Sequence, residues 1–339
     1  LALVCVFFFS GVSWSAEMSD KTRQLLKRAE KGDAEAQVDI GLAYEQGEGV
    51  PKDLKEAVKW YRKAAEQGLA SGQCNLGWMY ESGSGVEKDL QEAVKWYKKS
   101  AEQGLPRCQS NLAWMYENGQ GVDKDYKEAI RWYRKAAEQG QARGQVNLGL
   151  MYEYAKGVDK DFKVAVKWYR RAAEQKDARG QAFLGSMYQS GEGVEQDYKE
   201  AVKWYKKSAE QDYAWGQRKL GWMYETGKGV DEDYGDAVKW YRKAAAQGDS
   251  WAEAYLGWMY QTGRGVPKDL EEALKWYKKS AEKDNNYGLY RLGAMYHQGV
   301  GVPEDRDEAI KYYKKAAELG NEDAKERLSL MGVDTEKTK

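Results

Sequence analysis

The chain has 339 residues, with 54 Lys plus Arg balanced by 54 Asp plus Glu. It therefore has no charge excess to hold a phosphate backbone or an anionic lipid surface, and nucleic acid is not an expected partner. A mean hydropathy of -0.87 and only four prolines point to a soluble, helix-rich body. A single histidine and three cysteines leave no cluster at metal-ligand spacing, so neither a zinc site nor a His-dependent triad is expected, and no cofactor.

In chain order, residues 1–15 read as a signal peptide. Leu1 to Phe9 is an apolar run too short to span a bilayer, and the small residues Ser10, Gly11, Ser13 and Ser15 follow it. Cleavage is expected after Ser15, giving an exported chain, periplasmic or secreted, that is not inserted in a membrane. Residues 16–32 should form a capping helix. From Asp33 to Gly320 one unit recurs without insertion: Trp60-Tyr61 returns every 36 residues as far as Trp276-Tyr277, then as Tyr312-Tyr313, and Tyr44 recurs with the same step to Tyr296. Eight units in register are the mark of a solenoid.

Each unit reads as two helices. In the second, Leu54, Ala57, Val58, Tyr61, Ala64 and Ala65 form a buried stripe, while Lys55, Glu56, Lys59, Arg62 and Lys63 face water. Asp53/Glu56 has the spacing of a capping box, repeated at Asp89/Glu92, Asp125/Glu128, Asp197/Glu200, Asp269/Glu272 and Asp305/Glu308. Gly68 and its counterparts Gly104, Gly140, Gly248 and Gly320 should end these helices in the left-handed conformation. In the first helix Gly72, Leu76, Met79 and Tyr80 face inward, Gly77 admits a neighbouring helix, and a turn such as Gly47-Glu48-Gly49-Val50 joins the pair. Residues 321–331 read as a C-terminal capping helix and 332–339 as a polar, disordered tail.

Ala36, Ile40-Gly41, Tyr44, Gly47-Glu48-Gly49-Val50, Asp53, Ala57 and Trp60 to Ala65 together resemble the Sel-1-like repeat (SLR) family, relatives of tetratricopeptide repeats. The resemblance implies an all-α fold, a right-handed superhelical solenoid of helix pairs, and a scaffold or adaptor role. Glycine at 72, 144, 180, 216 and 288, where the family has alanine, is expected to loosen packing locally, and Lys156 interrupts a turn near Ala155.

Three features could carry chemistry and are read as structural. His297 is expected in a solvated loop. Gly83 and Gly85, like the other Gly-x-Gly pairs, follow a helix instead of a strand and serve the turn. Ser280 and Lys283 have the Ser-x-x-Lys spacing of penicillin-binding enzymes, which some SLR proteins have been compared with. Ser280, however, takes the buried place of Ala64, and no Lys-Thr-Gly accompanies it. Stacked helices lie about 8 to 10 Å apart, beyond the roughly 7 Å Cα limit of a disulfide. Cys74 and Cys108 are therefore expected as separate buried thiols, and this chain does not copy the within-unit pairing of cysteine-rich SLR proteins.

The Trp60 series is expected to pack between units. A second line on the first helix, at i, i+4, i+7 and i+11, falls opposite the inner stripe, where tetratricopeptide-like geometry places the concave wall. It supplies the candidate partner-binding residues Asn75, Trp78, Arg107, Asn111, Trp114, Arg143, Arg179, Phe183, Trp215, Lys219, Trp222, Trp251, Tyr255 and Trp258. Trp, Tyr, Phe and Arg are the side chains that carry binding hot spots. Trp78, Trp114, Trp222 and Trp258 should thus be more exposed than Trp60, Trp96, Trp132 and Trp204. The expected function is a non-catalytic scaffold holding a protein or peptide, with a self-associating envelope protein or a β-lactam-binding enzyme as alternatives.

Overall fold

The computed structural model describes residues 18–333; the expected signal peptide and most of the expected disordered tail lie outside them. Regular structure among the described residues is entirely α-helical, in eighteen helices. α1 (Asp20–Glu30) precedes the repeats and α18 (Glu322–Leu330) follows them. The first helices of the eight repeats are α2 (Ala34–Gln46), α4 (Ala70–Ser82), α6 (Pro106–Asn118), α8 (Ala142–Glu153), α10 (Ala178–Ser190), α12 (Ala214–Thr226), α14 (Ser250–Thr262) and α16 (Asn286–Gln298). Their partners are α3 (Leu54–Glu66), α5 (Leu90–Glu102), α7 (Tyr126–Glu138), α9 (Phe162–Glu174), α11 (Tyr198–Ala209), α13 (Tyr234–Ala246), α15 (Leu270–Glu282) and α17 (Arg306–Glu318). This is an all-α repeat solenoid. It divides after Lys160 into two compact units.

The stripe on the second helices forms the core. Ala57, Val58, Trp60, Tyr61, Ala64 and Ala65 are all buried, while Lys63 lies 3.8 Å from the centroid of the Trp60 ring. The same cation, three residues on, covers Trp96, Trp132, Trp204 and Trp276. Each tryptophan thus packs inward on one face and meets a solvated lysine on the other. Opposite most of the inward tyrosines the first helix is pared to glycine, Ala113 being an exception: a Cβ at Gly77 would lie 2.7 Å from Tyr97 Cδ1.

Several expectations need correction. The residues three after each cap do not complete a capping box. The Asp53 amide already donates to the Tyr44 carbonyl at 2.9 Å, which closes the turn between the helices, so Glu56 pairs with Lys59 at 2.7 Å instead. Asp53 Oδ1 does accept from the Lys55 and Glu56 amides. Glycine in place of the family alanine does not loosen packing: a Cβ at Gly72 would sit 2.7 Å from Ala64 Cβ, and one at Gly180 2.6 Å from Ala172 Cβ. His297 lies in the last turn of α16, half-buried, with Nδ1 3.5 Å from the Tyr313 hydroxyl.

Cys74 and Cys108 form a disulfide with their Cα atoms 5.8 Å apart, contrary to the reading as separate thiols. The 8 to 10 Å spacing refers to helix axes. Backbone atoms lie about 2.3 Å off each axis, so facing Cα atoms approach well within disulfide reach. Where Gly68 has φ +89° after α3, the equivalent places hold Lys176, Asp212 and Asp284 with φ of 66°, 58° and 55°, a conformation strained for residues that have a Cβ.

Candidate partner-binding face

The second, sixth, ninth and twelfth residues of each first helix share one face, because each step is close to a whole number of turns. In the first unit this face is polar. Arg107 and Arg143 are exposed at the second position, and Asn75 and Asn111 stand at the sixth. Trp78 is at the ninth and Glu45 and Glu81 at the twelfth. Arg143 Nη1 donates to Asn111 Oδ1 at 3.2 Å, and Arg107 Nη2 donates to Asn75 Oδ1, so each arginine reaches back one repeat. Glu45 and Glu81 accept from the Tyr61 and Tyr97 hydroxyls at 2.5 Å. Burial, and next these carboxylates, hold both phenols above their usual range.

Asn75, Trp78, Arg107, Asn111 and Arg143 surround a recess of about 420 Å³ together with Leu42, Glu45, Glu81 and Cys74. Five candidate residues are thereby brought to one place. Trp114 is half-buried and is not among the lining residues.

In the second unit the second, sixth and ninth positions are more aromatic. Phe183 and Trp215 lie 4.8 Å apart between ring centroids. Trp251 stacks on Tyr287 at 6.3 Å, and Tyr255 contacts both rings. The Arg291 guanidinium lies 4.3 Å from the Trp258 ring and donates to Gln261 Oε1 at 2.6 Å, which also accepts from the Tyr277 hydroxyl. The Lys219 ammonium approaches Trp215 at 5.8 Å; burial, and then Arg218, hold its pKa below the usual lysine value. Arg179 is half-buried. Tyr287 and Arg291 were missed in the sequence reading, although they stand one 36-residue step beyond Trp251 and Tyr255.

The exposure expectation holds in part. Trp78 is 41% exposed, against 5% for Trp60 and 4% for Trp132; Trp251, which was not among the residues compared, is 38% exposed. Trp114, Trp222 and Trp258 are half-buried, as are Trp96 and Trp204. Trp222 and Trp258 lean on the core around Leu256 and Tyr241, so aromatic bulk at the ninth position is shared between wall and interior.

The penicillin-binding spacing dissolves in three dimensions. Ser280 is fully buried and its hydroxyl donates to the Ser250 carbonyl at 2.7 Å, as Ser100 and Ser208 do to Ala70 and Ala178. Lys283 is engaged with Glu253 at 2.6 Å. Among the described residues no helix is long and apolar enough to cross a membrane.

The Sel1 repeat signature matches eight times, over 34–69, 70–105, 106–141, 142–177, 178–213, 216–249, 252–285 and 286–321. The chain belongs to the Sel1 repeat family. It is similar to a crystal structure of a protective antigen present in uropathogenic Escherichia coli strains that displays an SLR fold, with 41% identity and a TM-score of 0.72, covering 91% of this chain and 67% of that one. A Sel1 repeat protein from Oxalobacter formigenes is 34% identical with a TM-score of 0.63, covering 94% and 92%. A 62-residue stretch, 18% of this chain, is 41% identical to the secretory immunoglobulin A-binding protein EsiB of Escherichia coli and spans 13% of that protein. Sel1 repeat proteins are generally protein-interaction scaffolds and typically not enzymes.

Proposed function

We propose that this protein is an exported, non-catalytic scaffold that holds a protein or peptide partner against the wall formed by its first helices. The observation that carries the reading is the contrast between stripe and wall. The tyrosine at the Tyr61 register is buried in repeat after repeat, whereas the wall changes from arginine and asparagine to tryptophan and tyrosine and leaves Trp78 and Trp251 open to solvent. Large exposed aromatics on a rigid, repeating frame are suited to binding, because little side-chain entropy is lost when a partner covers them. Bacterial Sel1 repeat relatives include an antigen and an immunoglobulin-binding protein, in keeping with an apolar leader and a periplasmic or secreted location.

The test compares capture of partners from a bacterial envelope extract by the wild-type chain and by Trp78→Ala with Trp251→Ala. Loss of a specific captured protein with unchanged melting supports the wall. Capture that survives both substitutions moves the site to the turns or to the lysine-rich face of the second helices.

A further inference from the structure

Building on that reading of the wall, we propose that the recess between the first helices of repeats one to four is a carboxylate-binding site, and that the segment it takes is an acidic peptide. Some cations elsewhere on this unit are paired with carboxylates: Lys59, Lys95, Arg131 and Lys156 sit 2.6 to 3.0 Å from Glu56, Glu92, Glu128 and Glu117. Arg107 and Arg143 differ. Both are exposed, and each donates to a neutral carboxamide oxygen, Asn75 or Asn111. The asparagine orients the guanidinium without neutralising it. A guanidinium has five N–H donors in a planar fork, so most of its capacity remains for a carboxylate, its best geometric match.

The recess also holds two carboxylates, Glu45 and Glu81. Glu45 and Glu81 stand at the twelfth helical position and the arginines at the second, ten residues apart or about 15 Å along a helix axis. Both glutamates accept a buried tyrosine hydroxyl at 2.5 Å. In repeats three and four the arginines thus stand toward the N-terminal ends of the first helices and the glutamates toward the other ends, whereas repeat one carries Glu35 and Asp39 at its second and sixth positions. A chain crossing repeats three and four along those N-terminal ends meets Arg107 and then Arg143 at the same register, a match for two successive acidic residues.

The site is also held in shape. The Cys74–Cys108 bond ties α4, which carries Asn75 and Trp78, to α6, which carries Arg107 and Asn111, and Cys74 itself lines the recess. A cross-link of this kind removes relative motion of the two halves before any ligand arrives. In the second unit the same helical position holds Arg179 and then Trp215, Trp251 and Tyr287, so it turns aromatic after Arg179.

The experiment measures fluorescence anisotropy of a labelled octaglutamate peptide, and of its octaglutamine counterpart, with the full oxidised chain. The glutamate peptide is expected to bind at least about tenfold tighter than the glutamine one, since a charge-assisted hydrogen bond outweighs a neutral one. Arg107→Gln with Arg143→Gln should remove that preference, Lys59→Gln should leave it intact, and reduction of the disulfide should weaken it. Circular dichroism confirms that each variant is folded. Equal binding of the two peptides, no binding of either, or wild-type binding by the double arginine variant overturns the assignment. Failure of the broader wall reading registers separately, as envelope-partner capture indifferent to Trp78→Ala and Trp251→Ala.

Discussion

Raising the pH above 10 should unfold this protein steeply, and the tyrosines of the second helices set the slope. Tyr61, Tyr97, Tyr133, Tyr205, Tyr241, Tyr277 and Tyr313 are each at most 1% exposed. Burial is the largest cause holding every one of them above the ordinary phenol value, and Tyr313 is pushed up to about 12. An unfolded tyrosine ionises near pH 10. Above that pH the folded state keeps protons that the unfolded state has released, so stability is full below about pH 10 and falls as pH rises toward the folded-state values. Each such tyrosine contributes about 1.4 kcal/mol per pH unit. The three in the first unit then give a slope of about 4 kcal/mol per pH unit and the four in the second about 5.5. Against a domain stability of about 5 to 15 kcal/mol, both units should lose their helices within a few pH units above 10. Tyrosinate absorbance followed alongside far-ultraviolet circular dichroism provides the assay. Exposed tyrosines should ionise first, and the buried set only together with loss of helix. Tyr97→Phe should make the first unit's transition shallower by about a third. Ionisation of all 25 tyrosines in one phase with the helices intact would refute the reasoning.

Gly77→Leu should lower the melting temperature by an amount equivalent to at least about 1 to 3 kcal/mol, because the new side chain meets the Tyr97 ring, whereas Lys59→Ala should change it little; equal melting of the two variants would contradict close packing there. Lys176→Gly should stabilise by about 1 kcal/mol by relieving a left-handed residue, read as a rise in denaturant midpoint at constant slope. Reduction of the Cys74–Cys108 bond, which closes a separation of 34 residues, should cost about 4 kcal/mol, so reductant should lower the melting temperature of the wild type and leave Cys74→Ser unmoved. Trp222→Ala with Trp258→Ala should weaken partner capture and also lower stability, since both rings lean on the core; unchanged melting would place them entirely on the surface.

The fold was legible because its determinants repeat. The Trp60-Tyr61 step and the Asp53 caps stand in register in repeat after repeat, with glycine endings like Gly68 in five of the eight, so local propensity and burial agree along the chain. What escaped depends on distances that periodicity does not carry. Spacing alone does not reveal that the Asp53 amide is already taken by Tyr44, which is why Glu56 looked like half of a capping box. Nor does it distinguish axis separation from Cα separation, the error that kept Cys74 and Cys108 apart. The wall was legible as a line of residues and not as a surface. Its periodicity selects Trp222 and Trp78 alike, while their different exposure follows from side-chain direction and from neighbours in the next repeat. The Arg107–Asn75 and Arg143–Asn111 contacts have a simple trace in sequence, an Arg 32 residues after an Asn, whose meaning emerges only once consecutive first helices are known to lie side by side.

The repeat geometry also explains why chemistry can change along this protein without loss of the fold. A residue on the stripe, such as Tyr97, is bounded by the glycine of the helix it faces and by the tyrosine-to-carboxylate bond at its tip, so altering it disturbs a whole repeat. A wall residue meets fewer constraints. Arg143 touches Asn111, and Trp251 touches Tyr287, each mainly one repeat away along the same face. Substitution there changes a pairwise contact and the local recognition surface while the stripe stays in place. Binding specificity on such a frame is therefore written in short runs of adjacent repeats. The arginine-asparagine pairs of the first unit form one such run and the aromatic contacts of the second another.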